Sequence, residues 1–177
     1  MEQQFQEIKP RKNIWKPIYL KSMLWFTGRA VQAASRVDPE VKAEFEAMPE
    51  GYTFALGAWP SGPYMVIERQ SDGTAKYMGS STENIKIDLS LLFKSSEHLF
   101  LAFTFRESTP IATARDRLLV DGDIPHACAA VRILDIVQVY LLPKLIAKLA
   151  IKRYPRWSFK RHTIYRALVN LRAIAGV

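Results

Sequence analysis

Apolar residues recur along this chain at helical intervals, then at intervals of two, then at helical intervals again, and these changes of period predict its elements. Pro17 is suited to open a helix, and Ile18, Met23, Phe26, Ala30, Ala33, Ala34 and Val37 follow at roughly helical spacing. Asp38 is a natural N-cap with Pro39 at the first helical position. A second, short helix then carries Val41, Phe45 and Met48 until Pro49, Glu50 and Gly51 stop it.

From residue 52 the period is two, giving strands over 52–59, 64–69 and 74–78 separated by Pro/Gly and Asp-Gly turns. The segment 84–89 alternates as well, with Ile85, Ile87 and Leu89 on one face and Lys86 and Asp88 on the other, and predicts a half-buried strand. From Ser90 a helical and unusually apolar region is expected, holding Leu91, Leu92, Phe93, Leu99, Phe100, Leu101, Phe103 and Phe105. Thr109 and Pro110 open another short helix, and 117–120 reads as a fifth strand closed by a turn at 121–123. Asp123 caps a long helix from Ile124, in which Pro125 is tolerated because first-turn amides have no intrahelical partner. Ala127, Val131, Leu134, Val137 and Leu141 form its apolar stripe, and Pro143 bends or ends it.

Strands run together between runs of helices, which implies an α+β fold: a five-stranded, mainly antiparallel sheet, its first four strands meandering, covered on one face by helices. Three segments follow: an N-terminal extension with an amphipathic helix over 1–37, the α+β domain over 38–152, and a basic helical tail over 153–177. A chain of 177 residues with 49% hydrophobic content is long enough to bury a full core. Its single cysteine, Cys128, excludes an intrachain disulfide, and the charged residues scattered over 1–20 leave no apolar stretch for a signal peptide, so a cytoplasmic location is expected. The stretch 133–143 is too short, and too interrupted by Asp135 and Gln138, to span a bilayer. Net charge is +8 and strongly asymmetric, because 136–177 holds nine basic residues and no acidic one. Such a tail implies an anionic partner: membrane headgroups, nucleic acid or an acidic protein.

The stretch Thr109-Pro110-Ile111-Ala112, then Arg117-Leu118-Leu119-Val120-Asp121-Gly122-Asp123, then Ala127 to Leu134 resembles the sterol carrier protein type-two family over roughly 38–152. The pattern is a short helix, a strand ending in Gly-Asp and an apolar helix. One departure is Asp116-Arg117, where many members carry Gly-Lys at a tight turn. Pro143 followed by a Lys-rich amphipathic segment to Lys152 is similar to bacterial members that serve ubiquinone biosynthesis as accessory lipid-binding proteins. The resemblance implies a small α+β domain that holds a sterol, quinone, isoprenoid or fatty acyl chain in a hydrophobic tunnel, without catalysis and without a cofactor.

A tunnel requires many apolar side chains and few charges. Phe93, Leu99, Phe100 and Phe103 are candidates for one wall, and Leu134, Val137, Tyr140, Leu141 and Leu145 for the other. At about 0.8 kcal/mol per buried methylene, a ten-carbon chain contributes about 8 kcal/mol before association costs. Beyond Leu141, apolar residues alternate with Lys144, Lys148, Lys152 and Arg153, the composition of a helix lying in a membrane interface, and Trp157 adds an anchor. Each basic residue near an anionic leaflet is worth about 1 kcal/mol. The N-terminal aromatics Trp15, Tyr19, Trp25 and Phe26 suit either such docking or packing on the sheet.

Catalytic chemistry is poorly supported. His98, His126 and His162 show no metal-ligand spacing with one another or with Cys128, and no nucleophile elbow, phosphate loop or dinucleotide fingerprint is present. Asp121 and Asp123 are explained by turn and cap chemistry. Two other readings stay open: nucleic-acid binding through the interleaved basic and aromatic residues 154–161, and an enzyme of small apolar substrates using the same cavity. The amount of apolar helix surface would also permit a homodimer.

Overall fold

The computed structural model describes residues 14–142 and 161–176. Helix α1 spans Trp15–Val37 and α2 Pro39–Glu46; four strands follow, β1 Thr53–Ala58, β2 Tyr64–Arg69, β3 Ala75–Gly79 and β4 Leu89–Phe93. Then come α3 Ser96–Phe103, α4 Thr109–Ala114, β5 Leu118–Asp121 and α5 Ile124–Leu141. A π-helical turn, Arg161–Tyr165, leads into α6, Arg166–Ala175. Two of the expected caps form: the Asp38 carboxylate accepts from the Glu40 amide at 2.9 Å, and the Asp123 carboxylate accepts weakly from the His126 amide at 3.4 Å; at α4 the cap position falls to Ser108, and Thr109, expected as the cap, is the first helical residue.

The fold is α+β, with one sheet in the order β3-β2-β1-β4-β5. Neighbouring pairs are antiparallel except β1 and β4, which run parallel. One face of the sheet is the core face: Phe54, Leu56 and Ala58 of β1 align with Met65 and Ile67 of β2 and with Leu89, Leu91 and Phe93 of β4, all buried. Helices α1, α3 and α5 lie over it. α5 is long and apolar enough to cross a membrane, but it is a core helix here: Ala130, Ile133, Val137 and Tyr140 on it are fully buried.

Helix α1 closes the β3 edge. The Ala75 amide donates to Ser35 Oγ at 2.9 Å and the Tyr77 amide to Gln32 Oε1 at 2.8 Å, so side chains of a helix satisfy the outer amides of an edge strand. The approach is close enough that a Cβ on Gly28 would stand 2.5 Å from the Tyr77 ring, which explains a glycine in mid-helix. α6 packs on α1 and α5 through Val169 and Ala173. It is held there by Arg161, which donates to the buried Asp38 carboxylate at 2.7 Å and to Glu40, while the Tyr140 hydroxyl donates to the same Asp38 oxygen.

Three expectations are corrected. Residues 84–88 are not a strand, since sheet pairing begins at Leu89; the Asp88 carboxylate instead accepts from the Thr53 amide at 3.0 Å and closes off the segment. Leu91, Leu92 and Phe93 are strand rather than helix, and α3 begins only after the Ser95 cap. The first four strands do not meander, because β4 returns beside β1. A central strand with a parallel neighbour is buried on much of its surface and reads as a continuous apolar run, which hides its period of two. The departure at Asp116 has a local outcome: Asp116 adopts the left-handed conformation itself, φ 54°, and pairs with Lys94.

Candidate functional site

The helices do not meet the sheet evenly. Under the β4–β5 half lies a cavity of about 190 Å³. Its floor is the core face at Leu56, Leu91, Phe93 and Leu118. α1 contributes Met23, Phe26 and Thr27, so the helix expected as an extension forms one wall. The opposite wall is α5, with Val131, Leu134, Asp135, Gln138 and Leu141 spaced by three and four. The end of α3 and the turn after it supply Ala102, Phe103, Phe105 and Glu107.

Of the residues singled out from sequence, Phe93, Phe103, Leu134 and Leu141 are brought together around this cavity. The other described ones lie elsewhere. Leu99 and Val137 are fully buried core, Phe100 packs edge-on against Tyr19 with ring centroids 5.6 Å apart, and Tyr140 is committed to Asp38. Leu145, Lys144, Lys148, Lys152, Arg153 and Trp157 lie outside the described residues. Sequence reasoning missed Met23, Phe26, Leu56 and Leu118, whose periodicity marks them as core without saying which core positions face a space.

Phe105 is also misplaced by a periodic reading. It stands just past the end of α3 with φ 58°, its amide bonded to the Ala102 carbonyl at 3.0 Å, the left-handed closing position that usually falls to glycine. A bulky aromatic there is strained, and the ring it carries is part of the cavity wall.

Among the described residues, two ionisable side chains line the cavity. Glu107 is buried, and its Oε2 accepts from Arg115 at 3.3 Å and from Arg117. Asp135 has no partner for its carboxyl among the described residues, and burial pushes that group up to about 6. His98 and His126 do not line the cavity. His126 packs tilted against Tyr52 with ring centroids 4.8 Å apart, His98 lies in the first turn of α3, and His162 lies in the π-helical turn. Cys128 is exposed on α5. What the arrangement offers is an apolar chamber with one acidic corner.

No family model matches the chain, and no curated protein does. Among solved structures it is similar to the UbiJ-SCP2 ubiquinone synthesis protein, at 14% identity and a TM-score of 0.43 over 70% of this chain and 98% of that one. It is similar to sterol carrier protein 2 from Yarrowia lipolytica in its apo form, at 13% identity and a TM-score of 0.44 over 65% of this chain and 89% of that one. A third is the sterol carrier protein domain 2 of Helicoverpa armigera, at 15% identity and a TM-score of 0.44 over 82% of this chain and all of that one. All three of these solved structures are named as sterol carrier protein 2 proteins or domains.

Proposed function

We propose that the chain is a non-catalytic lipid-binding protein that takes up an apolar chain or ring in the cavity and carries or presents it at the cytoplasmic face of an anionic membrane. The observation that carries the reading is the space itself, left open between the sheet and α1, α3 and α5 instead of being filled by side chains. Its size of about 190 Å³ compares with the roughly 150 Å³ apolar cavity that suffices for benzene. A ring or a short run of methylenes is therefore enclosed, and the rest of a longer lipid extends beyond it. Sterol, quinone, isoprenoid and fatty acyl ligands all meet that description.

Membrane docking has support of its own. On α6, Leu171 and Ile174 are 65% and 67% exposed, on the side opposite the buried Val169 and Ala173. No acidic residue occurs on α6, and Arg172 is exposed beside that stripe. An apolar stripe with an exposed cation on the same helix and no acid is suited to an anionic headgroup layer. Arg161 is excluded from this role, since Asp38 and Glu40 occupy it.

The test is extraction of the purified protein with organic solvent, followed by mass spectrometry. A co-purified lipid at near-stoichiometric amount is the expected result. A lipid-free extract, together with failure to take up fluorescent fatty acid, alcohol or sterol probes, would falsify the reading. Leu171→Glu with Ile174→Glu should lower sedimentation with phosphatidylglycerol vesicles at least tenfold while leaving probe uptake intact. Unchanged sedimentation, or a loss of dimer in the ultracentrifuge in its place, removes the docking role from α6.

A further inference from the structure

The cavity's electrostatics run against those of the whole chain. Net charge is +8, yet among the described residues the two ionisable side chains lining the cavity are both acids. Glu107 is compensated by Arg115 and Arg117. Asp135 is not: it sits on the cavity side of α5, one turn before Gln138, and neither side chain has a hydrogen bond or ion pair among the described residues. α1 and the sheet present only uncharged side chains to the cavity, so Asp135 faces no cation there. A carboxylate and an amide, side by side and half-buried in an apolar chamber, give up part of their hydration with no protein partner in return.

Such a corner gains most from a ligand that brings a donor. We propose that the cavity selects apolar ligands with a neutral, hydrogen-bond-donating head, an alcohol or a phenol, seats that head on Asp135 and Gln138, and discriminates against carboxylate-headed chains of the same length. This deepens the lipid-binding reading and rests on it. An ionised Asp135 accepts a hydrogen bond from a hydroxyl and repels a carboxylate; in a low-dielectric pocket both effects are stronger than in water. Because the Asp135 carboxyl is pushed up to about 6, the repulsion lapses as pH falls below that value. Glu107 does not reverse this, being held in its ion pairs.

Three probes of one chain length decide it: 1-decanol, 1-methoxydecane and decanoate, titrated into the full chain and followed by backbone amide chemical shifts. At about pH 7.5, decanol should bind about tenfold more tightly than methoxydecane, the expected worth of a hydrogen bond to a charged group, and decanoate more weakly than either. Toward about pH 5 the decanoate penalty should shrink. Asp135→Asn, nearly isosteric, should remove most of that penalty at pH 7.5 and narrow the preference for decanol. Equal binding of decanol and methoxydecane by the unaltered protein, or decanoate binding tightest at pH 7.5, overturns the inference and leaves the cavity a general apolar site. Binding of none of the three overturns it together with the lipid-binding reading.

Discussion

The two halves of the sheet are roofed by helices in opposite ways. Over β2 and β3, α1 is pressed so close that Gly28 meets the Tyr77 ring and Ser35 and Gln32 complete the strand's hydrogen bonds. Over β4 and β5 the helices stand off, and the floor side chains Leu91, Phe93 and Leu118 look into space. One half is an interior in the ordinary close-packed sense, where a single methyl group is felt; the other tolerates added volume because room exists for it. Close packing and open space thus fall on different halves of a single sheet.

The largest expected effect comes from adding the same kind of bulk on each side. Gly28→Val places a branched side chain where even a Cβ would lie 2.5 Å from Tyr77, and should cost about 3 kcal/mol by urea denaturation. Val131→Phe adds more atoms but adds them to the cavity wall, and should change stability by less than about 1 kcal/mol while lowering probe uptake at least tenfold. Equal costs for the two substitutions would mean that the halves do not differ.

The edge of the packed half is the next place to press. Ser35 is fully buried, accepts from the Ala75 amide at 2.9 Å and donates to the Gln32 carbonyl at 2.8 Å. Ser35→Ala leaves the Ala75 amide without its partner and should cost about 2 kcal/mol, with faster hydrogen exchange at that amide. On the other edge, Val120 of β5 is 38% exposed, and Val120→Thr should change stability by no more than about 0.5 kcal/mol.

How much of this difference the sequence discloses depends on what each feature requires. Strands β1, β2, β3 and β5 and the capped helices at Asp38 and Asp123 follow from local period and cap chemistry, and the α+β class is legible for that reason. Helix α1 is legible as a helix, but its Gly28, Gln32 and Ser35 announce nothing locally, because their meaning is the strand that arrives some forty residues later. β4 is hidden for the opposite reason: Leu91, Leu92 and Phe93 are apolar on both faces, and a solid run fits a helix as well as a strand. The cavity is half legible. Phe93, Phe103, Leu134 and Leu141 are recognisably apolar wall material, but an apolar residue facing a space and one facing a neighbour, such as Leu99 or Val137, obey the same pattern. Tyr140 is the clearest case, since its partner Asp38 reads from sequence as a helix cap and nothing more.

The acid in the hollow half gives a smaller effect that depends on pH. With its folded-state value raised to about 6, Asp135 holds a proton in the native protein over a range where the unfolded chain has released it. The native state therefore binds more protons between about pH 4 and pH 6, and stability should fall across that window as pH rises, then level off. The carboxyl is partly hydrated, so the loss should be about 1 kcal/mol, less than the full shift implies. Asp135→Asn should remove this part of the slope and be the more stable protein at neutral pH. An identical profile for both, by urea denaturation from pH 4 to 8, would show that Asp135 is already satisfied.

The smallest stability effect is expected at Phe105, and there it is the contrast with binding that informs. The residue holds φ 58° at the end of α3, a conformation costing roughly 1 kcal/mol for a side chain of this kind and nothing for glycine. Phe105→Gly relieves that cost, loses part of the ring's burial and increases the freedom of the unfolded chain, so the net change should lie within about 0.5 kcal/mol of zero. Ligand uptake should nevertheless drop several-fold, because the ring forms part of the cavity wall. If the substitution instead costs 2 kcal/mol or more, the ring is structural packing and Phe105 belongs with the solid half of the molecule. If stability is kept and uptake falls, the strain at this turn is held in place for the ligand's sake, at the spot where α3 yields to the hollow.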